Sequence, residues 1–349
     1  MKPEIFKEQR QYFTDLFVSP VSPGHGMRVD PPNKQDVRVF SRGSLDDRVQ
    51  MSKRMFDFEC ECLEKIGDDR VPTLRASSGT EVFAAAFGSP VHRPEDSMPF
   101  ALPAVGDAEG ADRLREPDLF SGPIGDIFTI ADRLVALCGD YPVRICDVQS
   151  PFDIAALIWE KKSFFVALVD APDAVHRLLR KVTDTLTRFI KAFHARYKDA
   201  CLVHYPSLWM PPEFGMCCSE DDIGSISPRC FEEFCLPYLQ ELAREFGGIS
   251  LHSCAAGQHQ WDNFLKLPGI RYMNLHHPPT DLEVAIAKFS GRAVLAPGGS
   301  NGRASHLDFV KECLSLAKPE TRFFFLVPAK SIEEARVLAD QIKALCGRS

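Results

Sequence analysis

Ile249-Ser250-Leu251-His252-Ser253-Cys254 opens the stretch whose reading decides the fold. A short apolar segment ends in polar residues, and the pattern then alternates without interruption. Residues 258–267 have helical spacing, 270–275 reads as a strand, 282–289 as a helix, 293–296 as a strand and 307–317 as a helix. Residues 322–327 give a further strand and 332–346 the closing helix. Short apolar strands that alternate strictly with helices imply parallel βαβ units, because a parallel neighbour is reached only through a crossover.

The pattern extends upstream. Arg144-Ile145-Cys146-Asp147-Val148 reads as a strand ending at the Ser150-Pro151 turn. Residues 174–197 form a long amphipathic helix with Val175, Leu178, Leu179, Val182, Leu186 and Ile190 on one face, and 201–205 is the next strand. Ser227-Pro228 caps a helix expected to run to Phe246, where Gly247-Gly248 ends it. Six strands are therefore expected, and segments at 70–74 and near Phe128 would complete a (β/α)8 TIM barrel. The competing open, doubly wound sheet is disfavoured because no strand is followed by G-x-G-x-x-G. Residues 1–66 are expected to be an N-terminal arm packed on a barrel formed by 67–349. The arm would hold a short helix over 6–17, an irregular stretch broken by Pro20, Pro23, Pro31 and Pro32, and a helix over 45–66 stopped by Gly67. Residues 79–122, rich in Gly, Pro and charge, read as an insertion, lid or substrate loop.

Composition narrows the class. The 349 residues are 45% hydrophobic and 26% charged, ordinary globular values, with a net charge of −7. An acidic chain without a Lys/Arg cluster argues against nucleic-acid or anionic-membrane partners. No apolar run approaches the ~18 residues of a membrane span. The opening Met1-Lys2-Pro3-Glu4-Ile5-Phe6-Lys7-Glu8 lacks the apolar core of a signal peptide, so a cytoplasmic protein is expected. The twelve cysteines include no C-x-x-C, which fits small buried hydrophobes in a reducing compartment.

Barrel chemistry lies at the carboxyl ends of the strands. The polar residues expected there are Asp147, Gln149 and Ser150, then His204, Tyr205 and Trp209, then His252 and Cys254, then Asn274, His276 and His277, then Ser300 and Asn301. Four of the ten histidines fall at these ends. His252-Ser253-Cys254 is the sharpest element. Residues two apart on a strand share a face, so an imidazole and a thiol can converge on one zinc ion at about 2.0–2.1 and 2.3 Å, while Leu251 and Ser253 turn outward. A hydrogen-bonded His beside a buried Cys is the plainer alternative. Glu220-Asp221-Asp222 reads either as a solvated turn or as the source of a carboxylate at the barrel mouth.

These pieces, taken in order, resemble the uroporphyrinogen decarboxylase superfamily. The resemblance is carried by Asp69-Arg70-Val71-Pro72, Ser150-Pro151-Phe152, Asp170-Ala171-Pro172-Asp173, the run from Asp221-Asp222-Ile223-Gly224 to Pro237-Tyr238, and Leu251-His252-Ser253-Cys254. It spans roughly residues 60–345 and implies a (β/α)8 barrel.

The resemblance also implies two chemistries. One is cofactor-free decarboxylation of a tetrapyrrole's acetate groups; the other is zinc-dependent methyl transfer between a corrinoid protein and a small-molecule thiol. The Arg-Gln-Ala-Gly-Arg-Tyr signature of the decarboxylases is missing, and the H-x-C of the methyltransferases is matched by His252 and Cys254. The later Cys of that zinc set has no counterpart at the end of Phe323-Phe324-Phe325-Leu326-Val327-Pro328-Ala329-Lys330. The third ligand is thus expected from His204, His277 or Asp222. The reading that follows is a methyltransferase with zinc on His252 and Cys254 and a corrinoid as methyl donor. His204, Tyr205, Trp209 and Arg303 are the expected substrate contacts, and Asp222 and His277 are the proton-transfer candidates if the metal-free decarboxylase alternative holds. The alternatives are a decarboxylase of uroporphyrinogen or a related acidic substrate, with Arg75 or Arg303 holding carboxylates, and a non-catalytic corrinoid- or tetrapyrrole-binding barrel.

Overall fold

The computed structural model describes residues 3–18, 24–33, 36–197, 199–275, 281–298, 303 and 305–348. Eight parallel strand positions make the barrel. They are β1 (Gly26–Asp30), β2 (Leu74–Arg75), β3 (Val143–Arg144), β4 (Met216–Ser219), β5 (Ile249–Ser253), β6 (Ile270–Leu275), β7 (Val294–Pro297) and β8 (Arg322–Pro328). Hydrogen-bonded pairing runs β4-β5-β6-β7-β8-β1, and β2 pairs with β3. Beyond Arg144 the chain stays extended and Gln149 bridges Ser219, joining β3 to β4.

The last seam, between β1 and the residues leading into β2, is closed largely by side chains. The Asp69 amide donates to the Met27 carbonyl, and the carboxylates of Asp69 and Asp68 accept from the amides of Met27 (2.9 Å) and Val29 (2.8 Å). A buried strand amide needs an acceptor, and here two aspartates take the place of a neighbouring strand. Each is in turn neutralised: Asp68 by buried Arg70 at 2.7 Å, Asp69 by a two-pronged contact from Arg348.

Side chains sort by the strand period of two. Tyr272 and Phe324 lie in an inner core with Cys201, Val203 and Cys217, whereas Leu251, Met273, Phe323 and Phe325 belong to the outer core beneath the helices. The helix Pro3–Val18 closes the amino-terminal end, inserting Phe13 and Leu16 into the inner core, and the Arg322 guanidinium donates to the Leu16 carbonyl. The carboxyl ends of the strands are left for chemistry.

The barrel stands as expected, with local corrections. Phe128 is in a helix, Gly122–Cys138, because Ile124, Ile127, Phe128, Ala131 and Leu134 recur at helical spacing and are all buried. The missing strands are β1, inside the stretch read as irregular, and β4, whose Met-Cys-Cys-Ser is too short and uniformly buried to show alternation. The segment at 201–205 is not a full strand: Cys201 bridges Arg144, and the Leu202 carbonyl accepts from the Cys217 amide of β4. The helix after Ser227 is two, Pro228–Phe234 and Leu236–Phe246. Residues 79–122 hold two short helices and a hairpin, Val91–His92 with Phe100–Ala101. The long helix Pro172–Arg196 clasps this segment: Arg177 pairs with Asp112, Arg188 with Glu116, and Lys181 donates to three of its carbonyls.

Candidate metal centre at the strand ends

His252, next to last in β5, faces the barrel interior, and Cys254, just past the strand, follows it on the same side. Imidazole Nε2 and thiol Sγ are 3.0 Å apart, as the period of two requires. Ser253 lines a cavity with Trp261, Phe264 and Leu275 on the helix side, and Leu251 is in the outer core.

The imidazole's tautomer can be read from its neighbours. Asn274 on β6 sits across from His252 in register, and its Nδ2 donates to the Ala296 carbonyl on β7 at 2.9 Å. A carbonyl only accepts, so the amide nitrogen must face Ala296 and Asn274 Oδ1 must face His252 Nδ1, 2.5 Å away. Nδ1 therefore carries the proton and Nε2 presents a lone pair. The Cys254 thiol donates to it. Tyr205 packs edge-on against this imidazole with ring centroids 4.5 Å apart.

The acidic run after β4 supplies a third donor, and it is Asp221. The Glu220 amide donates to the His252 carbonyl at 2.9 Å, fixing the chain beside β5. The fully buried Asp153 carboxylate then accepts from the amides of Asp221 (2.7 Å) and Asp222 (3.0 Å), which aims the Asp221 side chain at the Cys254 amide, 2.5 Å from Oδ1. Burial and the nearby Asp222 and Asp221 raise the Asp153 pKa, while those two amides oppose the rise. Donor atoms of Asp221, His252 and Cys254 all lie within 4.8 Å of one another. Oxygen, nitrogen and sulfur around one point, with the imidazole oriented by an outer amide, fit a catalytic zinc site with an open position. Burial, then Asp221 and Asp147, push the Cys254 thiol up to about 11, so without a cation it keeps its proton.

Beside this cluster, fully buried His204 directs Nε2 to Ser219 Oγ at 3.0 Å and lies 3.9 Å from Asp147 Oδ1. Burial, aided by Arg75 and His252, depresses its pKa and keeps the ring neutral. Burial, with help from Asp221, pushes the Asp147 carboxyl up to about 6 against the opposing pull of Arg75, and its Oδ1 accepts no hydrogen bond.

The remaining candidates are dispersed. Asp222 turns away from the donor cluster to pair with Lys161 at 2.5 Å. Trp209 is buried at the opposite end of the barrel, against Phe13 and under the Arg10 guanidinium, because the chain after Tyr205 turns back toward the strand starts before β4. Arg303 pairs with Glu312 on the following helix. His277 lies outside the described residues. Asp221, Asn274 and Asp147 were visible as polar residues near strand ends. Choosing Asp221 over Asp222 required knowing which amides Asp153 holds.

Comparison with known proteins agrees with this architecture. The uroporphyrinogen decarboxylase (URO-D) family profile matches residues 34–295. The chain belongs to this family. A uroporphyrinogen decarboxylase of Myxococcus xanthus (strain DK1622) is 26% identical over 270 residues, 71% of each chain. A methyltransferase from Methanosarcina mazei shares the fold of this URO-D family protein, with a TM-score of 0.70 over 96% of this chain and 98% of its own, at 14% identity.

Proposed function

We propose that this URO-D family protein is a zinc-dependent methyltransferase that moves a methyl group between a corrinoid and a small-molecule thiol. The observation that carries the reading is the convergence of Asp221, His252 and Cys254 at the strand ends. The missing last-strand cysteine is replaced among the donors by Asp221. The likeness in fold to the Methanosarcina mazei methyltransferase supports the same reading.

Zinc held by these three side chains would leave its fourth position to the substrate thiol and lower that thiol's pKa, giving a thiolate at neutral pH. The protein's part is preparation. Asn274 holds the Nδ1 proton so that Nε2 presents its lone pair to the donor cluster, Asp153 holds Asp221 in place, and Cys254 would bind as the thiolate. Tyr205, beside His252 and 36% exposed, borders the approach to the open position. Asp147 faces the same space as a carboxylate at neutral pH and can accept the proton released by an incoming thiol.

Elemental analysis and a methylcobalamin absorbance assay test the proposal. About one zinc per chain is expected, lost in His252→Ala, Cys254→Ala and Asp221→Ala, with demethylation of methylcobalamin by thiols in the wild type alone. Zinc that stays substoichiometric after loading, and is unaffected by His252→Ala, would remove the mechanism. Binding of methylcobalamin without thiol turnover would favour a non-catalytic carrier, and turnover of a porphyrinogen a decarboxylase.

A further inference from the structure

We propose that a cavity on the outer face of β5, between Ser253 and Trp261, binds a small neutral molecule with an apolar body and one carbonyl group.

The two faces of β5 lead to different places. His252 points inward with Cys254, while Ser253 points outward to a cavity of about 390 Å³ bounded by Ile223, Gly257, Trp261, Phe264 and Leu275. That volume is within the usual range of a small-molecule site. Its walls are cross-linked within the protein itself. Gln260, fully buried, donates through Nε2 to the carbonyls of Ile223 (3.3 Å) and Ile226 (2.9 Å), and Asn263 donates to the Pro228 carbonyl at 2.9 Å. Gly257 lets the turn close against Ile223, since a Cβ there would stand 2.6 Å from Ile223 Cδ1. The run Ala255-Ala256-Gly257 edges the space with small residues and leaves it open.

The lining selects the ligand. Ile223, Phe264 and Leu275 present buried hydrocarbon, and among the described lining residues none is an acid, a lysine or an arginine. Two donors go unmatched. The Trp261 indole N–H has no acceptor among the described residues, although Trp261 is only 4% exposed. Ser253, 8% exposed, accepts from the Ala255 amide at 3.2 Å, and its hydroxyl proton has no acceptor among the described residues. An indole N–H can only donate, and a donor buried unpaired is costly, so the occupant must bring the acceptor. A carboxylate would enter without a cation to balance it, which selects a neutral carbonyl. The strand itself stands between this occupant and the pair His252 and Cys254. The site therefore takes a second ligand, distinct from the thiol and the methyl donor.

The test titrates acetophenone, ethylbenzene and benzoate, three probes of similar shape, into the full chain. Binding is read by calorimetry and by the indole N–H signals of an isotope-labelled sample; the three tryptophans give three signals, and Trp261→Phe assigns one. Acetophenone is expected to bind and move the Trp261 signal downfield as its N–H gains an acceptor. Ethylbenzene should bind ~5- to 30-fold more weakly, the loss of one or two hydrogen bonds, and benzoate more weakly than acetophenone. Trp261→Phe should weaken acetophenone ~5-fold and leave ethylbenzene nearly unchanged. Ala256→Trp, at an exposed loop position that lines the cavity, should fill it and abolish binding. Binding should persist in chelator-treated protein and in His252→Ala, which separates this site from the zinc reading. An unmoved Trp261 signal, equal affinity for ethylbenzene and acetophenone, full binding in Ala256→Trp, or binding lost with the metal would overturn the proposal. If Trp261→Phe fails to fold, the ranking of the three probes and Ala256→Trp still decide.

Discussion

Asn274 is the sharpest place to test the metal centre without touching a ligand. It is fully buried and makes two hydrogen bonds, accepting from His252 Nδ1 and donating to the Ala296 carbonyl. Replacing it by Ala removes both, at about 1 kcal/mol each, and strands a buried carbonyl and an imidazole nitrogen at a further ~1–3 kcal/mol. The metal-free protein should lose ~3–5 kcal/mol in urea unfolding. Its imidazole is then free to place the proton on Nε2, and zinc must displace that tautomer. A 10- to 100-fold loss of zinc affinity is expected, about 1.4–2.7 kcal/mol. Asn274→Asp separates the two roles. A carboxylate still accepts from Nδ1, so zinc affinity should stay within about threefold of wild type. The same carboxylate cannot donate to Ala296, so unfolding stability should fall as for Ala. Competition against a chromophoric chelator measures the first quantity, a urea melt the second. Equal zinc affinity in wild type and Asn274→Ala would refute the argument that Asn274 fixes the tautomer.

Further outcomes follow from the same geometry. Asp221→Asn should weaken zinc binding by more than ~100-fold, beyond an outer-shell effect, whereas Asp222→Asn should change it little because that carboxylate faces Lys161; the same chelator competition compares them. Asp147 has a native pKa of about 6 against an ordinary 3.8, chiefly through burial, so the native state binds its proton more tightly than the unfolded chain does. Ionisation then destabilises the fold as pH rises from ~4 through ~6, and Asp147→Asn should stabilise the metal-free protein by ~1–2 kcal/mol at pH 7.5, after allowance for partial solvent screening, with the gain vanishing below about pH 4 in pH-resolved urea melts. Arg348→Ala leaves Asp69, almost fully buried, without its cation and removes the guanidinium stacked 4.4 Å over Tyr12; a loss of ~3 kcal/mol is expected by denaturant titration.

By itself the sequence determined the repeating strand–helix pattern from β5 to the closing helix, the limits of the Leu45–Ile66 and Leu282–Phe289 helices, and the convergence of His252 and Cys254. These rest on local periodicities of 3.6 and 2, which neighbouring residues carry in full. What only the tertiary structure decided involves partners distant along the chain. β1 is a strand because β8 pairs with it on one side and two aspartates satisfy its amides on the other, none of which its Gly-Met-Arg-Val-Asp composition announces. Asp221 rather than Asp222 joins the donor cluster because Asp153, some 70 residues earlier, holds both backbone amides and so sets which carboxylate faces inward. Trp209 left the candidate site for the same kind of reason: the chain after Tyr205 doubles back to the helix-covered end of the barrel, a path set by packing against Phe13 rather than by any period in the sequence.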